Sequence, residues 1–328
     1  MLFFIGGKSL ERLFKDGMSH QMSFAAVTAD YIGNEGTHIP VFEKTILDNT
    51  KKRGVLLQRV GAKPATGHPT RYFERVPHDS KHAFIDPRKI DHALDTKVDI
   101  EEHSAYIKGL VDGITFTKFD REVYNQQGST FGDFEAHNLN EVITDMLDAQ
   151  DKAVWNGAAT SLMDSTSTEY CSLLTQVTNT GAIAKDARLV KGIMANVATL
   201  MNNAKYNASP TAIYMNPLDV EKLNEQEMDE RDKIKIYDTE VVEGIKVPAI
   251  MTAAGVLPII ADRYCPQNKI AILNEKLIER QYIASATPRI YQLGTEKDLA
   301  TRFIAVLFDT FIVRGGSYGH MIVDIATA

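Results

Sequence analysis

The chain has 328 residues, 44% hydrophobic and 24% charged, enough apolar material for a sizeable core in one large domain or two modest ones. Its formal net charge of -7 argues against a protein built to grip nucleic acid, whose affinity comes from Lys and Arg neutralising phosphates. Cys171 and Cys265 stand far apart and outside any CxxC or Cys/His spacing, so they read as reduced thiols in an intracellular fold and not as a zinc site.

At the N-terminus, Met1-Leu2-Phe3-Phe4-Ile5 is apolar, but Gly6-Gly7-Lys8 interrupts it before a signal core or a membrane span forms. The expectation is a cytoplasmic product without a signal sequence and with no membrane partner. Gly6-Gly7-Lys8-Ser9 has the ending of a phosphate loop but lacks the upstream glycine, and reads as a turn. Loosely spaced apolar positions from Ser9 to Phe14, Met22 to Tyr31 and Val41 to Asn49 predict short helices in an arm.

From about Gly61 to Gly128 the chain is polar and punctuated by Pro64, Pro69, Pro77 and Pro87, which forbid a long helix. Arg71–Val76 and Gly113–Phe119 carry the β-branched and aromatic residues of strands, and pairing them with each other gives a long hairpin with a polar, solvated tip from Pro77 to Ser104. That stretch is too polar to bury itself, so it is expected to reach other copies of the same chain. Its tip mixes both signs of charge, which suits pairing between subunits, and Arg71, Arg75, Arg88, Lys89, Asp95 and Glu101 are the candidate inter-subunit contacts. His78 and His82 are four apart, yet beside Pro77 and without a third ligand they read as loop histidines.

Next comes one uninterrupted amphipathic helix, about Phe131 to Gly157. Leu139, Val142, Ile143, Met146, Leu147, Ala153 and Val154 form its apolar stripe, and Asn156-Gly157 is its expected left-handed stop. Trp155, the only tryptophan, is read as a core or interface anchor. After a Ser/Thr-rich connection, Leu189, Ile193, Val197 and Leu200 predict a second helix. A strand at Thr211–Met215 and a short helix at Leu218–Leu223 follow. Strands are then expected at Val241–Ala249, Leu257–Ala261, Lys269–Leu273, Phe303–Val313 and Met321–Ile325. No Gly-x-Ser-x-Gly elbow, catalytic Cys signature or paired-carboxylate context stands out, so no catalytic, cofactor-binding or metal-ligating residue is assigned.

These parts, in this order, resemble the major capsid protein of tailed bacteriophages, the Hong-Kong-97-type shell fold. The resemblance rests on Ile114–Tyr124 leading into the long helix, Ala149–Gly157 ending it, Ala212–Pro217 with the helix after it, and Val242–Pro248 before the late strands. It implies an α+β fold with an N-terminal arm (1–60) and an extended E-loop (61–125). A peripheral domain (126–185 and 285–318) would hold the spine helix (131–157), and an axial domain would comprise 186–284 and 319–328. It further implies pentamers and hexamers closing into an icosahedral head around double-stranded DNA, without sequence-specific binding, in a virion assembled in the host cytoplasm. The partners would be the chain itself and separate scaffolding, portal or decoration proteins, with no cofactor and no enzymatic activity. An encapsulin-like nanocompartment shell shares that fold, and a soluble oligomeric enzyme with a long lid loop is the alternative from another class.

Overall fold

A computed structural model describes residues 4–5, 8–9, 55–75, 88, 100–119, 122–123, 134–185, 187–202, 209–228, 237–242, 245–295 and 300–326. The expected arm helices, His78, His82, Lys89 and Asp95 lie outside these residues. The chain divides into two compact units, Met1–Asp48 with Glu122–Phe134, and Asn49–Arg121 with Glu135–Ala328. In the first, β1 (Phe4–Ile5) and β2 (Lys8–Ser9) pair antiparallel, so Lys8-Ser9 is a strand.

The second unit opens with α1 (Leu56–Arg59), β3 (Gly61–Pro64), β4 (Thr70–Arg75), β5 (Ile100–Ala105) and β6 (Lys108–Thr117). The long helix α2 (Phe134–Asn156) follows, then α3 (Leu173–Gln176), β7 (Thr180–Ile183), α4 (Leu189–Met201), β8 (Ala212–Met215) and α5 (Pro217–Met228). The remainder is mostly strand: β9 (Tyr237–Val242), β10 (Ile245–Thr252), β11 (Gly255–Ala261), β12 (Lys269–Leu273), β13 (Ile278–Ile283), β14 (Arg289–Thr295), β15 (Ala300–Val313) and β16 (Met321–Ile325).

Several expectations need correcting. The Arg71–Val76 strand does not pair with Gly113–Phe119: β4 pairs with β5, from Thr70↔Ala105 to Arg75↔Ile100, whereas β6 pairs with β15 over ten positions. The supposed tip therefore contains a strand. Val241–Ala249 is not one strand, because the chain reverses between Val242 and Ile245 and β9 and β10 lie antiparallel. The helix after Asn216 runs on to Met228. Gly157 does not stop α2 by a left-handed turn; it is needed because a Cβ there would collide with the Tyr170 and Ala153 carbonyl oxygens.

Seven strands form one sheet in the order β7-β16-β12-β8-β11-β10-β9. Its central strands are buried on both faces, which is why β8 reads Ala-Ile-Tyr-Met without polar alternation. Ile213, Met215, Ile270, Ile272, Met321 and Val323 pack under α4 and α5. Ala212, Tyr214, Ala271, Leu273 and Ile322 face the opposite way, onto Val154 and Trp155 of α2 and Phe311 of β15. Trp155 is an anchor, buried with its ring centroid 6.2 Å from that of Tyr214.

A second, five-stranded sheet is organised by the 14-residue β15. β6 occupies one edge of it. β14 (Gln292↔Phe303 to Arg289↔Val306) and then β13 (Ile283↔Phe308 to Ile278↔Val313) share the other, and β3 runs parallel to β13. Along β15 the odd-numbered residues face α2, where Ala305 and Leu307 meet Met146, Val142 and Leu110. The α2 stripe is less apolar than expected: one turn after Met146 and Leu147, the buried positions are Gln150 and Asp151, while Val142 and Ile143 are only half-buried.

Candidate assembly surfaces

Gln150 is buried because it completes a polar cluster between α2 and the five-stranded sheet. Asp309, fully buried on β15, accepts hydrogen bonds from the Tyr170 hydroxyl and the Gln150 amide. Arg280 stands 3.7 Å away and donates to the Gln150 carbonyl oxygen at 3.2 Å and the Ala286 carbonyl at 2.5 Å. Burial pushes the Asp309 carboxyl up to about 6, against these hydrogen bonds and the Arg280 charge. The cluster fixes the rotation of α2 on the sheet, and among the described residues no group of His, Cys, Asp and Glu is placed to hold a metal ion.

The face of the five-stranded sheet turned away from α2 has two ends. At one end Ile312 is covered by Tyr72 and Ala105 from the root of the β4–β5 hairpin and by Leu162. Glu279 on this face receives Lys63 Nζ at 2.8 Å and Arg314 Nη2 at 2.5 Å. Burial raises the Glu279 carboxyl, but these donors and Gln281 outweigh it and hold it below the ordinary range. Toward the other end the cover stops. Val111 on β6, Phe308 on β15 and Tyr291 on β14 are 57%, 45% and 50% exposed, with Ile283 beside them. Register places these side chains on one face, because Val111 pairs with Val306, Tyr291 with Ile304 and Ile283 with Phe308.

The hairpin is the second exposed surface. Thr70 and Tyr72 on β4 and Ala105 on β5 are buried, and burial fades toward Arg75 and Ile100 at the far end. Its outward face carries Arg71, Phe73 and Arg75 on β4 and Ile100 and Glu102 on β5. Phe73 and Ile100 are 62% and 63% exposed. Arg71 pairs with Glu102 at 3.1 Å, and the exposed Glu101 lies on the opposite face, 3.7 Å from His103 Nε2. Arg88 is exposed in a turn. Arg71 and Arg75 thus flank an apolar pair that charge-based reading missed, although Phe73 at an outward position of a polar strand was a visible signal.

The body beneath is held by further polar groups, one half-buried and one buried. Glu275 takes Arg59 in two bonds, Tyr214 at 2.5 Å and Thr211 at 3.1 Å, tying α1 to the seven-stranded sheet. Asp262 accepts the Val55 and Leu56 amides at 3.3 and 3.4 Å, satisfying the start of α1.

No curated protein sequence matches this chain. Solved structures similar to it are shell subunits. The capsid of a native GTA particle is 13% identical with a TM-score of 0.61, covering 90% of this chain and 98% of that one. The cyanophage A-1(L) capsid is 10% identical with a TM-score of 0.63, covering 90% and 99%. The SrpI encapsulin of Synechococcus elongatus is 13% identical with a TM-score of 0.59, covering 88% and 92%. At these identities the likeness establishes the Hong-Kong-97-type α+β fold. Residues 123–304, more than half of the sequence and including α2 and every strand of the seven-stranded sheet except β16, match the SU10 major capsid protein family; the chain belongs to that family.

Proposed function

We propose that this capsid subunit assembles head to tail, the outward hairpin face of one copy lying on the open end of the next copy's five-stranded sheet. The observation that carries the reading is that one chain exposes two different apolar surfaces, Phe73 with Ile100 and Val111 with Tyr291 and Phe308. Each copy then offers one surface and needs the other. A repeated contact of this kind closes into rings when its rotation allows, and rings joined at their edges make a shell. Many moderate contacts give a durable container while leaving each one weak enough to open during assembly.

In this reading Arg71 and Arg75 flank the contact, and Arg88, Lys89, Asp95 and Glu101 supply its charged rim. The arm is 1–60, the E-loop 61–125, the peripheral domain 126–185 with 285–318, and the axial domain 186–284 with 319–328. Pentamers and hexamers close an icosahedral head around double-stranded DNA, which the acidic chain encloses without reading its sequence. Scaffolding, portal and decoration proteins are separate chains, assembly takes place in the host cytoplasm, and the subunit has no catalytic role or cofactor.

The test is Arg71→Glu with Phe73→Glu. Both side chains are exposed, so stability should change by no more than about 0.5 kcal/mol. Light scattering and electron microscopy should show folded subunits in place of multi-megadalton particles. Normal particles from this variant would overturn the hairpin contact, and particles holding a protein cargo in place of DNA would assign the chain to a nanocompartment.

A further inference from the structure

Backbone groups along a strand point alternately to its two sides, and in β15 the directions are fixed by what they meet. The Arg314 amide reaches the Leu277 carbonyl at 2.9 Å, at the start of β13, so the even-numbered residues of β15 bond toward β13 and the odd-numbered ones toward β6. Where β6 ends, at the pair Lys108↔Asp309, Gln176 stands in for it. Its amide nitrogen donates to the Phe311 carbonyl at 3.0 Å and its oxygen accepts the Val313 amide at 2.8 Å. The partners of the odd-numbered β15 residues are the even-numbered residues of β6. Gly109, Val111 and Gly113, with Ile107 just before the strand, therefore turn their N–H groups to the outer edge of the sheet.

Side chains close this edge at two places. His68 Nδ1 accepts the Ile107 amide at 3.4 Å, and Asp112 Oδ1 accepts the Gly113 amide at 2.7 Å. Between them, among the described residues, the exposed Gly109 and Val111 amides meet no acceptor. The opening is thus centred on Leu110 and symmetric about it. It lacks the protection found on β3, where Pro64 has no N–H to offer and Lys63 is exposed. A Cβ on Gly109 would lie 3.2 Å from Phe308 Cε1, so the Phe308 ring covers that glycine on the open face. On the opposite face Lys108 uses two of its three N–H donors on the Asp164 and Ser167 carbonyls, both at 2.6 Å, and Asp112 has no cation beside it among the described residues.

We propose that β6 pairs with β6 of a second copy, antiparallel and about a twofold axis through Leu110. Gly109 of each copy then stands opposite Val111 of the other, and each such pair exchanges both N–H···O bonds through the amides left open. The side chains fit the same register. Val111 enters the space beside the other copy's glycine, against its Phe308 ring, Leu110 meets Leu110, and Lys108 faces Asp112 with its third donor. The axis stands perpendicular to the sheet, so both open faces lie on one side of the joined sheet, where a hairpin still reaches them. A head-to-tail contact closes a ring, whereas this self-complementary one joins two rings. It goes beyond the head-to-tail reading and does not rest on it, since every group it uses belongs to β6 and its immediate neighbours.

Leu110→Cys tests the register, because residue 110 would face its own copy in a non-hydrogen-bonded pair, where side chains of antiparallel strands come closest. Oxidised with diamide, particles of this variant should contain disulfide-linked dimers and nothing larger, and Ile114→Cys, which would have Tyr106 opposite, should give none. Particles that assemble without the link at 110 would overturn the pairing. Val111→Pro removes one of the open amides without touching a bond to β15. Its urea midpoint should stay near that of the parent chain while light scattering shows particles replaced by single rings or subunits, and particles of ordinary size would again overturn the pairing. Leu110→Cys combined with Arg71→Glu and Phe73→Glu separates the two contacts. Linked dimers without rings are expected, and normal particles that carry the link would keep the β6 pairing and sink the head-to-tail contact.

Discussion

The two sheets of this subunit differ in how far one chain completes them. The seven-stranded sheet has α4 and α5 on one face and Trp155, Phe311 and their neighbours on the other, so its central strands are buried on both sides. The five-stranded sheet has α2 on one face, while only one end of the other is covered, by the chain's own hairpin root. A sheet finished within the chain answers for folding. An unfinished one is left open to another molecule, and in the proposed assembly its apolar exposure is what the subunit keeps for its neighbours.

The sharpest way to break this comparison is to place the same charge in both sheets. Ile272→Asp puts a carboxylate at a fully buried position under α4, and a loss above about 4 kcal/mol is expected, seen as insoluble chain or loss of cooperative unfolding. Tyr291→Asp in the open sheet should shift the urea midpoint little and reduce particle yield by light scattering. Equal destabilisation by the two would abolish the distinction.

A second test uses Asp309, whose folded carboxyl titrates at about 6, above its unfolded value near 3.8. A raised acid keeps its proton in the folded state while the unfolded chain loses it. Stability contributed at pH 4 is therefore lost as pH rises to about 6, by about 3 kcal/mol for a shift of about two units, and stays lost above that. Asp309→Asn retains an acceptor for Tyr170 and should remove this slope. Relative to the variant, wild type should weaken between pH 4 and pH 7 in paired urea titrations. A constant difference across that range would show that Asp309 does not titrate between these limits.

The smallest effect concerns the junction where β13 hands over to β14 along one edge of β15. Ala284 sits there at φ 70, a left-handed conformation that costs a residue with a Cβ about 1–2 kcal/mol. Ala284→Gly should gain under about 1 kcal/mol after the glycine's added chain entropy, and Ala284→Val should lose more than that, both read by thermal unfolding.

Much of the seven-stranded sheet was legible in the sequence because burial on both faces writes itself as short apolar runs. β12 and β16 fall where Lys269–Leu273 and Met321–Ile325 predicted them. The strands that were missed are polar for identifiable reasons. β5 reads Ile-Glu-Glu-His-Ser-Ala, since its far end is solvated and only its root is buried. β13 reads Ile-Glu-Arg-Gln-Tyr-Ile because Glu279 finds Lys63 and Arg314, Arg280 finds Gln150 and Gln281 finds Thr70, all distant in sequence, which no local pattern displays. Val242-Glu243-Gly244-Ile245 did carry a hairpin signal, a glycine in a two-residue link between β-branched residues. Of the proposed contact residues, Arg71, Arg75 and Glu101 lie on the β4–β5 hairpin, a different pairing from the one expected for this stretch. The proposed receiving face was invisible, since Val111, Tyr291 and Phe308 are brought together only by the registers of β6, β14 and β15.

β15 has a mechanical consequence. Over its 14 residues, about 46 Å at 3.3 Å each, it is hydrogen-bonded on both edges by three different strands. A pull along its length loads those bonds in shear, many at once, whereas a pull across it opens them in turn. The subunit is therefore stiffest along the axis of its longest strand, and a wall built of such subunits resists stretching most in whichever direction that axis is laid.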